Sequence, residues 1–503
     1  MSCVIGIDVG TTSTIGILIR LPDRTLALES RPVELRSPHP GWAEEDPEQW
    51  WRNVCDITRA LIANSGVAAS EVVAIGVAGM LPAIVLLDEH DRLLRPSIQQ
   101  SDGRCVTEVD ELRAEIDDHA FAQHAGNGIN QQLLAAKTRW IERHEPEVFA
   151  RIATVFGSYD YVNFRLTGER RIEQNWALEA GLTDLRAAKL SASLIAHTHL
   201  PERTVPRRAM SSEVIGVVTP AAATQCGLAA GTPVVGGAAD FIASGLASGL
   251  ARRGDCLLKF GGSVDVLAIS ENARPDPRLF LDYHLMPGLY VPNGCMSTGG
   301  SGLNWFVANF GSGAAAEAAA AGLSPHQYLD RLAARIAPRA DGVAVVPYFL
   351  GEKTPIHDAG ARGMISGLSF SHGVAHLWRA LLESYAYAIR HHLEVFAEAG
   401  AETVRFQASD GGSNSLTWMQ IVADVIQQPL QLSAQHPGSC LGAAWTAAIG
   451  TGLADDWGAI TGLTGHSRRV EPNPANAQAY SDGYAAFREF YRRMQGFDHG
   501  ARA

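Results

Sequence analysis

The stretch Val4-Ile5-Gly6-Ile7-Asp8-Val9-Gly10-Thr11-Thr12-Ser13 decides how the chain begins to fold. Val4, Ile5, Ile7 and Val9 are β-branched and predict a short buried strand, which the small residues after Val9 end in a tight turn. Working outward, Thr14–Arg20 reads as a second strand, and the Pro22-Asp23 turn leads to a third around Leu26–Val33. A helix follows, with Asp46 as N-cap, Pro47 at the first helical position and Gln49 completing a capping-box pattern. Its apolar face runs Trp50, Val54, Ile57, Leu61, at the spacing a helix needs. Glu71–Ala78 and Ala83–Asp88 read as further strands, so the fold class is α/β and not a plain dinucleotide-binding unit.

The second half repeats this order. Cys256–Phe260 ends in Gly261-Gly262-Ser263 and is followed by strands Val264–Ser270 and Tyr290–Met296, then a helix around Gly302–Phe310. A long helix carries Trp378, Leu382, Tyr385, Ile389, Leu393 and Phe396 and stops at Gly400; the strand Thr403–Ala408, a Gly411-Gly412 turn and a helix to about Gln428 come next. Two copies of strand, small-residue turn and strand predict a duplicated pair of domains, 1–248 and 253–503.

Composition narrows the function classes. The chain has 503 residues, 46% hydrophobic and 19% charged, which is ordinary for a globular protein with large cores. A net charge of −12 without a basic block argues against nucleic acid or an anionic membrane as partner. Seven scattered cysteines without a C-x-x-C pair form neither a disulfide framework nor a zinc site. The N-terminus reads at once as a strand with no basic leader, and no run is apolar enough to span a bilayer, so a cytoplasmic location is expected. Only four cations are lysine: Lys137, Lys189, Lys259 and Lys353.

Gly10-Thr11-Thr12 and Gly261-Gly262-Ser263 can aim backbone N–H groups and hydroxyls at phosphate oxygens, because glycine puts no Cβ in the way. Asp8 points toward the same place and could hold Mg²⁺ through water. Plain hairpin turns are the competing reading, weakened by the recurrence of the turn in both halves. No Walker A or G-x-G-x-x-G motif follows a strand. Gly411-Gly412-Ser413-Asn414 can bring backbone to a ribose or purine, or simply supply an N-cap from Ser413 or Asn414. Asp240 is a lone acid after Val234-Val235-Gly236-Gly237-Ala238-Ala239; burial raises a carboxyl toward the range of a general base, although an N-cap for a helix starting at Phe241 explains it too.

These residues resemble the FGGY carbohydrate kinases, and most of all the xylulokinases among them. The resemblance rests on Ile5–Thr12, Pro38–Trp51, Asp102-Gly103-Arg104-Cys105, Lys137 with Trp140, His144–Glu147, Gly236–Asp240, Tyr348–Pro355, Gly367-Leu368-Ser369 and Leu441-Gly442-Ala443-Ala444. It implies two ribonuclease-H-like domains of the actin/hexokinase ATPase type with a central cleft, ATP and Mg²⁺, and transfer of the γ-phosphoryl to a sugar or polyol hydroxyl. It implies Asp240 as general base, Asp8 as the acid that positions the metal, Gly10, Thr11 and Thr12 as the first phosphate loop, and Gly261, Gly262 and Ser263 as the second. Gly411 and Gly412 fall in the adenosine segment, and Gly300 and Asn304 match positions near the phosphates.

On the sugar side the expected contacts are Met80, Leu81, Pro82, Asp102, Asp240 and Phe241. Met80-Leu81-Pro82-Ala83 stands where xylulokinases usually carry Gln-Met-His-Gly, Gln100-Ser101 where they carry Trp-Asn, and Phe241 where they carry Asn. Losing those hydrogen-bonding side chains shifts the expected substrate from D-xylulose to another pentulose, sugar or polyol. Gly262 in place of Thr and Asp410 in place of Gly are further departures. A non-catalytic nucleotide-dependent sugar-binding or regulatory protein, and an actin-like filament, are the alternatives from other classes. Trp50-Trp51 reads as core plus rim, and His391-His392 as a core or solvated pair. Ala477–Gln495, with Tyr480, Tyr484, Phe487 and Tyr491 at helical spacing, reads as a helix packed on the second lobe, with a homodimer contact as the minor reading.

Overall fold

The computed structural model describes residues 2–433, 438–464 and 466–495. The opening stretch forms the strand Cys3–Val9, paired antiparallel with Ser13–Arg20, which pairs antiparallel with Arg24–Pro32. Cys3–Val9 lies parallel to Val72–Gly79 on its other side, followed by Pro233–Val235 and Val214–Val217; the short strand Ala238–Ala239 also pairs with the end of Val72–Gly79.

The helix Pro47–Ser65 starts where expected: Asp46 accepts from the Glu48 amide and Pro47 opens the first turn. The capping box does not form. Gln49 Oε1 instead accepts from the Glu34 amide at 3.0 Å, because the incoming chain offers it an unpaired N–H. Trp50, Val54, Ile57 and Leu61 are fully buried. Trp51 is buried as well, its indole N–H donating to Gln225, so the expected rim residue belongs to the core.

Side chains of a strand alternate between faces, and glycines mark where each face is approached closely. A Cβ on Gly16 would lie 2.2 Å from Ile57 of the helix Pro47–Ser65. On the opposite face, a Cβ on Gly6 would lie 1.9 Å from the Cys440 carbonyl oxygen, and one on Gly76 would lie 2.1 Å from that of Ala443. The helix Ser439–Gly450 therefore packs backbone-close onto these strands, Cys440 lying 434 residues after Gly6 and Ala443 lying 367 residues after Gly76. Gly442 gives it the same intimacy with Ala243, 2.0 Å from a Cβ placed there. The first compact unit accordingly comprises residues 2–251, Glu271–Val291 and 438–464.

The second unit holds Arg252–Ser270 and residues 292–433 and 466–495. Its sheet repeats the pairing of the first. Asp255–Phe260 makes an antiparallel hairpin with Val264–Ala268 and lies parallel to Arg405–Ser409, with Leu430–Ser433 and His466–Val470 beyond. The long helix is Val374–Glu398. Its His391 and His392 are buried, and His392 is held between Thr354 Oγ1 at 2.9 Å and the Ala388 carbonyl. The helix Ala477–Met494 buries Tyr480, Tyr484, Phe487 and Tyr491 within this unit. No helix among the described residues is long and apolar enough to cross a membrane.

Two predictions follow from the packing. Gly6→Ala drives a Cβ into backbone that a neighbouring rotamer cannot relieve, and is expected to cost about 1–3 kcal/mol or more of stability in urea unfolding. Separately, burial pushes the Glu352 carboxyl up to about 7, opposed by the amide donors of Ser297 and Lys353. Its folded value lies above its unfolded one. Its contribution is therefore complete below about 4.5 and is lost as pH rises through about 7. Glu352→Gln should raise the melting temperature at pH 8 and leave it unchanged at pH 4.

Candidate active site

The strand ends Val9, Gly79 and Ala239 lie side by side, since Gly79 pairs with both of the others. Strands stand about 4.8 Å apart, so three chain segments leave the same sheet edge within roughly 10 Å of one another. Ligands of open α/β sheets gather beyond such carboxyl ends. Asp8 and Gly10-Thr11-Thr12 leave from the first, Met80-Leu81-Pro82 from the second and Asp240 from the third.

The first turn closes with the Gly10 amide donating to Ser13 O at 3.1 Å, and Thr12 is exposed at its tip. A Cβ on Gly10 would lie 3.0 Å from Ser13 O, so the glycine suits the tightness of the turn, and 3.9 Å from Asp8 Oδ2. Ser439 Oγ donates to Asp8 Oδ2 at 2.5 Å from the start of the helix Ser439–Gly450. Met80 is tied to the first strand by its amide, 3.2 Å from Val9 O, and its own carbonyl accepts from Ser158 Oγ at 2.7 Å. Met80, Leu81 and Pro82 are buried, and Lys137, fully buried, donates to the carbonyls of Pro82 and Gln99 at 2.9 and 3.2 Å.

Asp240 opens the helix Asp240–Ala247 from its first turn, with Ala239 at the N-cap. Its Oδ1 accepts from the Phe241 amide at 2.6 Å. Asp240 and Phe241 are both half-buried, while Ala238, Ala239 and Ile242 around them are fully buried. The apolar run overstated the burial of the acid, and neither that inference nor the N-cap reading holds as drawn.

Asp102 sits differently. It has no exposed surface; Oδ2 accepts from the Ala43 amide at 2.6 Å and from Arg104 at 2.7 Å, and Oδ1 from the amide and Nε of Arg104. Burial works against ionisation here, but the Arg104 guanidinium and the two amides hold the Asp102 carboxyl below its usual range. Arg104 also pairs with Glu44 at 2.8 Å and stacks on Trp42, 3.8 Å from the ring centre. Asp102 is thus a strut of the loop that frames Met80–Pro82.

In the second unit a pocket of about 580 Å³ gathers Gly261, Gly262, Gly300, Asn304, Gly411 and Gly412. Ser263 is in the same turn but does not line it. The turn is hydrogen-bonded to the start of the helix Gly300–Phe310, from the Gly300 amide to Gly261 O at 2.9 Å and from the Ser301 amide to Gly262 O at 3.0 Å. Gly411–Asn414 is a short 3₁₀ turn, and the N-cap of the helix Leu416–Ile426 is Ser415, not Ser413 or Asn414. The volume and mixed lining suit a small organic ligand.

Sequence reasoning missed the opposite wall: His326, Gln327, Asp330, Trp378 and Trp418. A signal was present, because Ser324-Pro325-His326-Gln327 is a complete capping box with proline at the first position. Burial pushes the Asp330 carboxyl up, opposed by hydrogen bonds from Ser415 at 2.6 Å and the Trp378 indole at 2.8 Å. Burial pushes His326 down, and its Nε2 meets Asn304 Oδ1 at 2.9 Å.

Models of the FGGY family of carbohydrate kinases match this chain twice, the N-terminal domain over residues 3–247 and the C-terminal domain over residues 257–451. The crystal structure of xylulose kinase from Rhodospirillum rubrum superposes with a TM-score of 0.94 at 52% identity, covering 98% of this chain and 99% of that one. Xylulose kinase of Escherichia coli is 30% identical over 97% of this chain and 98% of its own length. Gluconokinase of Bacillus subtilis is 26% identical over 95% and 93%.

Removing one member of a buried ion pair leaves an uncompensated charge, at a cost of about 3–5 kcal/mol. Arg104→Met should show that loss in urea unfolding, and adding Asp102→Asn should recover part of it. Equal stability of Arg104→Met and the parent would contradict the strut assignment.

Proposed function

This chain belongs to the FGGY family of carbohydrate kinases and is a carbohydrate kinase, and from that premise we propose that it phosphorylates a hydroxyl of a ketopentose or related sugar or polyol at the expense of ATP, with Asp240 as general base. The observation that carries this reading is the convergence of the strand ends Val9, Gly79 and Ala239 on one edge, with an acid on the first and another just past the third. Met80-Leu81-Pro82 between them accounts for the sugar side.

In the step itself the acceptor O–H bond breaks as its oxygen bonds to the γ-phosphorus, the bond from that phosphorus to the β-bridging oxygen breaks, and ADP leaves. The proton passes to an Asp240 carboxylate oxygen, which the Phe241 amide holds in place. Phosphoryl transfer asks the protein for positioning and charge stabilisation more than for covalent chemistry. The 580 Å³ pocket of the second unit, with Gly261, Gly262, Gly300, Asn304, Gly411 and Gly412, serves the nucleotide, and in the first unit the Gly10–Thr12 turn serves phosphate through Thr11 and Thr12, the Gly10 amide being given to Ser13 O.

Asp8 offers the hard oxygen ligand that Mg²⁺ prefers. Among the described residues no group of three or more His, Cys, Asp or Glu side chains could hold an ion, and Asp8 is the residue that would position it. The ion, when bound, neutralises charge on the β- and γ-phosphates. Relatives that share nearly the full length are kinases, which does not favour the reading as a non-catalytic binder.

Asp240→Asn keeps the shape and removes the base. General acid–base groups contribute about 10²–10⁴-fold, so sugar-dependent ADP formation should fall by that factor while ATP affinity measured by calorimetry stays within about two-fold. Undiminished turnover would remove Asp240 from the mechanism.

A further inference from the structure

Asp240 is placed by the turn in front of it, and that turn is gripped by one helix. Gly236 and Gly237 lie between the strand Pro233–Val235 and the pair Ala238–Ala239. Gly237 has φ of 102°, and a Cβ there would lie 2.6 Å from Val77 O, 3.0 Å from the Tyr159 ring and 3.3 Å from Asn163 Nδ2. Tyr159 and Asn163 are one turn apart on the helix Ser158–Thr167, so both side chains face the Gly-Gly turn. Both are buried, at 0% and 1% exposure. Asn163 Nδ2 donates to Gly236 O at 2.9 Å. The Tyr159 hydroxyl donates to Glu173 Oε2 at 2.8 Å, and Glu173, itself fully buried, also accepts from Ser211 and from the Asn175 and Trp176 amides. The ring is therefore held at both its edge and its hydroxyl.

The same helix reaches the neighbouring strand end. Ser158 Oγ holds the Met80 carbonyl, and a Cβ on Gly79 would meet Ser158 Oγ at 2.7 Å and the Tyr159 ring at 3.2 Å. The Tyr159 ring is thus wedged between the two glycines, Gly79 and Gly237, that precede the sugar-side segment and the acid. Gly236 is pinned from the other side by its amide to Glu213 O at 2.8 Å, and Gly237 by its amide to Ser211 O at 3.1 Å. Asn163 supplies the remaining carbonyl contact.

We propose that Tyr159 and Asn163 are positioning residues for Asp240, with the helix Ser158–Thr167 acting as a common seat for the base and the Met80–Pro82 segment. The inference rests on the reading of Asp240 as base. Neither residue touches the reacting atoms; each acts through the Gly236-Gly237 turn.

The test compares Asn163→Leu, which keeps the branched heavy-atom skeleton and loses the donor, and Tyr159→Leu, which removes the ring, each alone and combined with Asp240→Asn. A misplacement of about 1 Å can cost about 10²-fold in rate. Each single variant should lose roughly 10- to 100-fold in kcat with the KM for ATP within about two-fold, and Asn163→Leu, which acts on the Gly236-Gly237 turn alone, should also leave the KM for sugar within about two-fold. In the Asp240→Asn background neither should lower the residual kcat further, because the group it positions is already gone. Asn163→Ser serves in place of Asn163→Leu should the latter not fold.

Wild-type kcat in the single variants, or losses that add fully to that of Asp240→Asn, would overturn the positioning role. Full activity of Asp240→Asn itself would instead overturn the base reading, so the two failures are told apart.

Discussion

The approach of the helix Ser439–Gly450 to the strand that begins the chain is the constraint on which the first unit depends. A Cβ at Gly6, Gly76 or Gly442 would lie within about 2 Å of opposing carbonyl oxygen, so backbone stands directly against backbone there. Interiors pack like molecular crystals, and such contacts admit few alternatives. The helix thereby ties the strand that carries Asp8 to the helix that Asp240 begins, through Ala243, and it starts with the Ser439 hydroxyl on the Asp8 carboxylate. The strand that carries Asp8 and the helix that Asp240 begins, far apart in the chain, thus pack on one late element.

An acidic chain that handles an anionic nucleotide needs local sources of positive potential. Net charge is −12, and of the four lysines Lys137 is spent inside the first unit on two carbonyls. In the proposed reading the small-residue turns Gly10–Thr12 and Gly261–Ser263 stand in for side-chain cations through those backbone N–H groups not already donated within the fold. This division leaves the arginines for architecture, as in the Asp102–Arg104–Glu44 knot.

Much of the frame was legible in the sequence because its signals are local. Strands, their small-residue turns, the Asp46 cap and the long helix depend on residues within a few positions of one another. The recurrence of the hairpin turn announced the duplication, and both sheets pair alike. What the sequence did not disclose depends on distant partners. Gln49 has the right residue for a capping box but finds the Glu34 amide instead. Asp102 looks like a sugar contact until Arg104 and the Ala43 amide are seen to enclose it. The seat of the helix Ser439–Gly450 depends on Gly6 and Gly76, which lie far from it in the chain. The wall made by Asp330, Trp378 and Trp418 comes from three separate helices, so spacing could not assemble it.

The central claim is that this chain transfers phosphate from ATP to a sugar or polyol hydroxyl. The most direct measurement is ADP release by the wild-type protein with ATP and Mg²⁺ across a panel of pentuloses, including D-xylulose, together with hexuloses, gluconate and polyols. The account predicts that at least one member raises ADP release well above the sugar-free rate, with a phosphorylated product in equal amount. No stimulation by any member, at protein concentrations where ATP is bound, would contradict it.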